Sequence, residues 1–151
     1  MKILLIGERN SGKSTFLYNL FKISDCGGII CLPVFKNGKK IGTDAINLLN
    51  KEKEIFCRLK KFANFDGIEM GRYIISYRGI EFCKKALKEA KERDLIIIDE
   101  FGFLEINGEG IYEEAKEIIE SNKNVIVVLR KGIEKEFIKK FPFNFKKILF
   151  K

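Results

Sequence analysis

The sequence contains no histidine among its 151 residues, and this absence removes several kinds of chemistry. Hydrolases that use a histidine base are excluded, and so are metal sites built on imidazole. No Cys-x-x-Cys pair occurs either, so the four cysteines are expected to be buried, reduced thiols; they are Cys26, Cys31, Cys57 and Cys83. Any catalysis must therefore use carboxylates, lysine, arginine or a recruited metal ion.

Long apolar runs are also missing, and no stretch approaches the length that spans a bilayer. The apolar start of the chain breaks at Glu8-Arg9-Asn10, which does not fit a signal peptide. We therefore expect a cytoplasmic protein without membrane contact, and a monomer is favoured. The formal charge of +8 comes from scattered basic residues that form no long block of like charges. Nucleic acid is not an expected partner, whereas a small polyanion such as a nucleotide suits a basic protein.

The length predicts a single domain over residues 1–151, and its strand and helix pattern predicts an α/β fold. Apolar strands without alternation are expected at Lys2–Ile6, Asp94–Asp99 and Asn124–Leu129. Such strands are typical of a mainly parallel sheet with helices on both faces. The segments between these strands have apolar residues at helical spacing. A short helix is expected near 133–140 and a last strand near 146–150.

A β-rich stretch follows the first helical pattern. Asn37-Gly38, a strong hairpin signal, lies between the strand-like segments Ile29–Lys36 and Lys39–Leu49. Pro33 indicates that the first of these arms lies at a sheet edge. Further strands are expected at 54–59 and at Met70–Ser76. The fold class is thus a mainly parallel sheet with an antiparallel hairpin inserted after the first helix.

One segment fits the phosphate-binding pattern G-x-x-x-x-G-K-[ST], namely Gly7-Glu8-Arg9-Asn10-Ser11-Gly12-Lys13-Ser14. It lies between a predicted strand and a predicted helix, as this P-loop requires. The glycines let successive N–H groups face phosphate oxygens, and the helix start adds its positive end. Lys13 is expected at the β- and γ-phosphates, the Ser14 hydroxyl at Mg²⁺, and Thr15 at the α-phosphate.

A second motif, four apolar residues followed by Asp99-Glu100, ends a buried strand. A carboxylate at the carboxyl end of such a strand lies where open α/β sheets bind ligands. Asp99 is predicted to hold Mg²⁺ and Glu100 to polarise the attacking water. Arg130, at the end of the strand Asn124–Leu129, is a candidate catalytic residue that would face the γ-phosphate. Its alternative is a solvated arginine. Arg72 and Glu105 are secondary candidates, and their alternatives are an exposed arginine and a plain loop acid.

The presence or absence of further motifs indicates which class of nucleotide enzyme this is. The Asn-Lys-x-Asp motif of guanine-specific GTPases is absent, since Asn122-Lys123 lacks the aspartate and precedes its strand. The six arginines form no cluster of the kind that makes a kinase lid. The glutamate directly after the acidic strand end favours water as the acceptor. A nucleotide-dependent switch and a small nucleotide or nucleoside kinase remain the alternatives.

The order of these motifs resembles that of a known family. The P-loop is followed by the hairpin segment 27–48, by Gly71-Arg72-Tyr73, and by Asp99-Glu100-Phe101-Gly102-Phe103-Leu104-Glu105. Together they look like the small nucleoside-triphosphatases first described from thermophiles, the THEP type, over roughly residues 1–130. The resemblance implies a RecA-like α/β fold and slow hydrolysis of several nucleoside triphosphates, including ATP and GTP, with Mg²⁺.

Overall fold

A computed structural model describes residues 1–151, and a nine-stranded sheet forms its centre. The strands are β1 (Lys2–Gly7), β2 (Gly27–Lys36), β3 (Lys39–Asn47), β4 (Lys53–Leu59), β5 (Gly67–Met70), β6 (Tyr73–Ser76), β7 (Leu95–Ile98), β8 (Asn124–Arg130) and β9 (Lys146–Phe150). The helices are α1 (Lys13–Phe21), α2 (Tyr77–Glu89), α3 (Phe103–Ile106), α4 (Tyr112–Ile119) and α5 (Glu134–Lys140). The strand order is β5-β6-β4-β3-β2-β7-β8-β1-β9. The strands that carry the two motifs, β1 and β7, therefore lie on either side of β8.

Five strands, from β2 to β9 in this order, run parallel. The sequences of β1, β7 and β8 are apolar without alternation because helices cover both faces of these three strands, whereas β9 at the sheet edge is mostly exposed. On one face Leu17 of α1 lies in a buried cluster with Leu5 and Val128. On the other face α2, α4 and α5 contribute to a larger cluster that includes Leu87 and Phe137. The loops that follow β1, β7 and β8 consequently meet at the carboxyl edge of the sheet.

The other four strands continue the same sheet as an antiparallel extension beyond β2. The predicted hairpin turn is present, and Asn37 and Gly38 have φ of 53° and 78°, the left-handed pair that a tight hairpin requires. The segment Met70–Ser76, predicted as one strand, instead reverses at Gly71, whose φ is 59°, and contributes to two strands. The antiparallel part is thus larger than a single hairpin, and the sheet is mixed, with four parallel and four antiparallel strand pairings.

The position of Pro33 corrects one prediction, because β2 is an interior strand and not an edge strand. Only Gly27–Ile29 of β2 pair with β7, whereas the pairing with β3 extends to Lys36. Pro33 lies in the part of β2 that has a strand neighbour on one side only. Its nitrogen points to the same side as that of Cys31, two residues earlier, whose N–H donates to a side chain beyond the sheet and not to β3. The proline therefore costs no bond between strands.

The close approach of the start of β2 to β7 depends on a glycine. A Cβ at Gly28 would lie 2.0 Å from the carbonyl oxygen of Ile97, and the residue has φ of 108°. A side chain is excluded there on both grounds, so Gly28 fixes the close approach of the two strands. None of the five helices is both long and apolar enough to cross a membrane.

Candidate active site

The loop between β1 and α1 takes its shape from two residues with left-handed backbone. Asn10 has φ of 60° and Gly12 has φ of 91°. Helix α1 then begins with a 2.9 Å hydrogen bond from Phe16 N–H to the carbonyl of Gly12. The first N–H groups of such a helix have no partner within it and carry its positive end. The predicted P-loop therefore has the backbone form that binds an anion.

The Lys13 ammonium group lies across this loop. It donates hydrogen bonds to the carbonyl oxygens of Gly7 and Glu8, at 3.0 and 2.7 Å, and to the Ser11 hydroxyl at 3.3 Å. Partial burial lowers the pKa of Lys13, whereas the nearby Asp99 carboxylate favours its charged form. The carbonyl groups of the loop thus hold the ammonium across the loop.

Asp99, directly after β7, is joined to the start of α1 and to β2. Its Oδ2 atom accepts a 2.6 Å hydrogen bond from the Ser14 hydroxyl and a 3.0 Å bond from Cys31 N–H. Its Oδ1 atom accepts a 2.8 Å bond from Glu100 N–H. Burial raises the pKa of Asp99, and these three hydrogen bonds oppose the rise. The carboxylate is therefore fixed on both oxygens beside the first helical turn.

Glu100 follows at once but has a different environment. Its φ of 62° is left-handed, so the chain turns sharply at the strand exit, and its side chain is exposed within a cavity above the sheet edge. Partial enclosure by the cavity walls, which reduces the hydration of its carboxylate, and repulsion by the Asp99 carboxylate raise the pKa of Glu100. Asp99 is thus buried and bonded, whereas Glu100 is open to water. The two adjacent acids are equipped for different tasks.

Arg130 ends β8 opposite Gly7 of β1 and borders the same cavity. Its guanidinium group lies over the ring of Phe103, 4.9 Å from the ring centre. Such a cation–π contact holds the charge without neutralising it. Arg130 is consequently placed among the predicted site residues. Arg72, in contrast, is exposed at the turn between β5 and β6 and does not border the cavity.

Glu105 stabilises the segment after β7 through hydrogen bonds to its backbone. It is buried, and its two oxygens accept hydrogen bonds from Gly102 N–H at 2.8 Å and Ile111 N–H at 3.1 Å. A Cβ at Gly110 would lie 2.0 Å from Oε2 of Glu105, so the glycine makes room for the carboxylate. Burial raises the pKa of Glu105, and the backbone hydrogen bonds oppose this rise. Its oxygens are therefore committed to the backbone of the Glu100–Ile111 segment.

The cavity that these groups border has a volume of about 630 Å³. It brings together most of the predicted site residues, namely Arg9, Asn10, Ser11, Gly12, Lys13, Ser14, Thr15, Asp99, Glu100 and Arg130. Gly7 and Glu8 do not border it. Their carbonyl groups instead accept hydrogen bonds from the Lys13 ammonium.

Sequence reasoning missed the wall that the antiparallel extension contributes to this cavity. Lys40 of β3 donates a 2.7 Å hydrogen bond to the side-chain oxygen of Asn10, and the Arg9 guanidinium lies 5.5 Å from the ring centre of Tyr73. Both contacts tie the P-loop to strands far from it in the sheet order. The Gly71-Arg72-Tyr73 motif did point to this region, but the side chain that reaches the site is Tyr73 and not Arg72.

The donor set near Ser14 fits a hard cation. The Ser14 hydroxyl and the Asp99 carboxylate are oxygen donors within 2.6 Å of each other, which is the ligand chemistry that Mg²⁺ prefers. No group of three or more acids and cysteines is clustered to hold a metal ion unaided. A cation bound there would need further oxygens from water or from phosphate groups, which is typical of Mg²⁺ bound together with a nucleotide.

Known proteins share this fold. The chain matches over its full length a crystal structure of THEP1 from Aquifex aeolicus, of which it covers 89%, with a TM-score of 0.75 and 23% identity. It also matches the solution structure of a human cancer-related nucleoside triphosphatase, with a TM-score of 0.70, 18% identity and coverage of 98% of this chain and 87% of that one. The predicted α/β fold of the P-loop type is thereby confirmed.

Sequence comparisons agree with the fold. A protein named nucleoside-triphosphatase THEP1 from Thermotoga sp. (strain RQ2) is 30% identical over 135 residues, which cover 87% of this chain and 75% of that protein. Its namesake from Methanocaldococcus jannaschii is 29% identical over 147 residues, covering 91% and 82%. The sequence model of a family described as NTPase matches residues 2–149. The resemblance inferred from the motifs is confirmed, and the chain belongs to this NTPase family.

Proposed function

We propose that this protein hydrolyses nucleoside triphosphates to nucleoside diphosphates and phosphate, with Mg²⁺ as cofactor. The observation that carries the proposal is the 2.6 Å contact between Ser14 and Asp99 directly beside the Lys13 ammonium. It unites an anion-binding loop, a cation and a pair of oxygen donors in one cavity. The names of the relatives, all nucleoside-triphosphatases, support the same activity.

In this proposal the P-loop binds the triphosphate. The N–H groups at the start of α1 and the Lys13 ammonium bind the β- and γ-phosphates, and Lys13 exchanges its contacts with Gly7 and Glu8 for phosphate oxygens. Thr15, one residue further into the helix, binds the α-phosphate. Ser14 and Asp99 hold the Mg²⁺ ion, which when bound neutralises charge that develops on the phosphate oxygens.

Glu100 supplies the base. Its exposed carboxylate lies at the strand exit next to the position of the γ-phosphate, where it can accept a proton from water. The water oxygen forms a bond to the γ-phosphorus while the bond to the diphosphate oxygen breaks, and the water proton passes to Glu100. Arg130, held over Phe103 at the cavity wall, stabilises the charge on the transferred phosphoryl group.

The test is a phosphate-release assay on the whole protein with ATP, GTP, CTP and UTP. Release of one phosphate for each diphosphate formed, dependent on Mg²⁺ and abolished by a chelator, is the expected result. Consumption of triphosphate without free phosphate, or no consumption of any of the four, would refute the proposal. A cytoplasmic location, a monomeric state and a single-domain organisation are proposed from the sequence alone.

A further inference from the structure

The cavity continues beyond the groups assigned to the phosphates and Mg²⁺. Helix α1, which follows the P-loop directly, packs on one face of the sheet through Leu17. Phe56 and Phe101, which also border the cavity, belong to the buried cluster on the opposite face. The cavity therefore crosses the carboxyl edge of the parallel strands and extends over the antiparallel strands on the other side. Asp99 and Glu100, which follow β7 at this edge, also border it.

This second half is largely apolar, in contrast to the P-loop half. Its wall includes Pro33, Phe35, Phe56, Met70, Tyr73 and Ile75. One aromatic ring of this wall is open to solvent, since Phe35 is 61% exposed. Aromatic rings gain stability when another molecule covers them. Rings left uncovered inside a concave site are typical of a site for an aromatic or apolar ligand.

Cations border the same half. Lys40 lies opposite Phe35 in the pairing of β2 with β3, and both residues border the cavity. The Lys40 ammonium also contacts Asn10, and Arg9 lies over the Tyr73 ring. These contacts make the P-loop and the antiparallel extension adjoining walls of one chamber. An aromatic ring paired with a cation suits a ligand that is both aromatic and anionic.

We propose that this half of the cavity is a second ligand site, the aromatic subsite, which binds a small aromatic molecule carrying a carboxylate, sulfonate or phosphate. The subsite is defined by Pro33, Phe35, Lys40, Met70, Tyr73 and Ile75. It lies beside the γ-phosphate end of the bound triphosphate, on the far side of Glu100 from α1. The proposal rests on the proposed function for the position of the triphosphate.

The nucleoside of the substrate is not the occupant of this site. The triphosphate extends from the γ-phosphate near Glu100 to the α-phosphate at Thr15, so its nucleoside lies on the α1 side of the loop. The aromatic subsite lies at the opposite end, past the reacting phosphate. The triphosphate and the aromatic ligand can therefore be bound together. The aromatic ligand would then cover the side of the cavity from which water reaches Glu100.

The test measures whether both ligands bind at once. The probe is anilinonaphthalene sulfonate, an aromatic anion whose fluorescence rises in an apolar site, titrated into the whole protein with and without a saturating β,γ-imido nucleoside triphosphate and Mg²⁺. We expect the probe affinity to change less than about threefold when the analogue is bound, which would be well under 1 kcal/mol. Displacement of the probe by the analogue would overturn the proposal, because the apolar half would then be the nucleoside pocket.

A matched pair of variants identifies the site. Phe35→Ala should weaken probe binding about tenfold, since it removes the most exposed ring of the subsite. Phe143→Ala makes the same change at an exposed ring that does not border the cavity, and should leave probe affinity unchanged. Equal effects of the two variants would overturn the proposal and indicate adventitious probe binding only. Binding of the analogue is recorded in the same titrations, so a failure of the proposed function would be seen separately.

Discussion

The Ser14 hydroxyl lies 2.6 Å from the Asp99 carboxylate, a contact between two residues that are 85 positions apart in the chain. It joins the first turn of α1 to the end of β7, although β8 separates β7 from β1 in the sheet. Parallel strands make this possible because the loops that follow them emerge at the same edge. The contact places an anion-binding loop and a buried acid in one cavity, and the following predictions derive from that arrangement.

Lys13→Ala should weaken triphosphate binding about tenfold to a hundredfold, as expected for the loss of a hydrogen bond between charged groups. The ammonium is held across the loop by the carbonyl groups of Gly7 and Glu8, so the substitution removes a cation from the loop itself. Isothermal calorimetry with a non-hydrolysable analogue measures the affinity. Lys22→Ala, at an exposed lysine just after α1, is the control and should bind like the parent. Equal affinities of the two variants would contradict the P-loop assignment.

Asp99→Asn should lower both stability and the response to Mg²⁺. The amide cannot accept all three bonds from Ser14, Cys31 and Glu100, so one donor loses its partner at a cost of about 1–3 kcal/mol. Denaturant unfolding measures this loss. Calorimetry should show that Mg²⁺ no longer strengthens triphosphate binding, whereas Asp94→Asn, at the other end of β7, should retain the parent response. An unaltered Mg²⁺ response in Asp99→Asn would remove Asp99 from the metal site.

Arg130→Ala should slow steady-state turnover at saturating nucleotide by at least about tenfold. The expected effect is smaller than that of arginine fingers supplied by partner proteins, which is roughly 10³-fold or more. The reason is its place on the cavity wall, with its charge held over Phe103. Arg72→Ala is the matched control, since this arginine is exposed and outside the cavity. If the two variants turned over equally fast, Arg130 would be a wall residue without a catalytic role.

Glu105→Gln should destabilise the fold by about 1–3 kcal/mol, because an amide cannot accept from both Gly102 N–H and Ile111 N–H. The pKa of Glu105 is raised in the folded protein, so the folded state binds its proton more tightly than the unfolded chain does. The stabilising effect of Glu105 should therefore decrease as pH rises through the raised pKa. Denaturant unfolding of parent and variant from about pH 4 to pH 8 measures the difference. Glu109→Gln, at an exposed neighbour, should show neither effect.

Local patterns predicted the parts of the site that depend on a few adjacent residues. The P-loop spacing and the acidic end of β7 identified Lys13, Ser14, Asp99 and Glu100, and the structure brings all four to one cavity. The strand pattern likewise predicted the α/β fold, and Asn37-Gly38 its hairpin turn.

Features that depend on strand order could not be predicted in this way. Pro33 indicated an edge strand, but β2 is interior and only its second half lacks a neighbour on one side. The wall formed by Lys40 and Tyr73 requires β3 and β6 to reach the P-loop, which no local spacing encodes. Glu105 matched the last acid of the family signature, yet its role is set by two backbone N–H groups that only the folded segment brings to it.

The most direct test of the account is single-turnover hydrolysis by Glu100→Gln, with nucleotide affinity measured on the same sample. Glutamine keeps the shape of the side chain but cannot accept the proton from water. Because the Glu100 side chain is exposed in the cavity and only its backbone N–H contacts Asp99, the substitution leaves the Ser14–Asp99 pair intact and binding should be retained. The account predicts parent affinity and a chemical step slowed on the order of 10²-fold. Hydrolysis at the parent rate would contradict it.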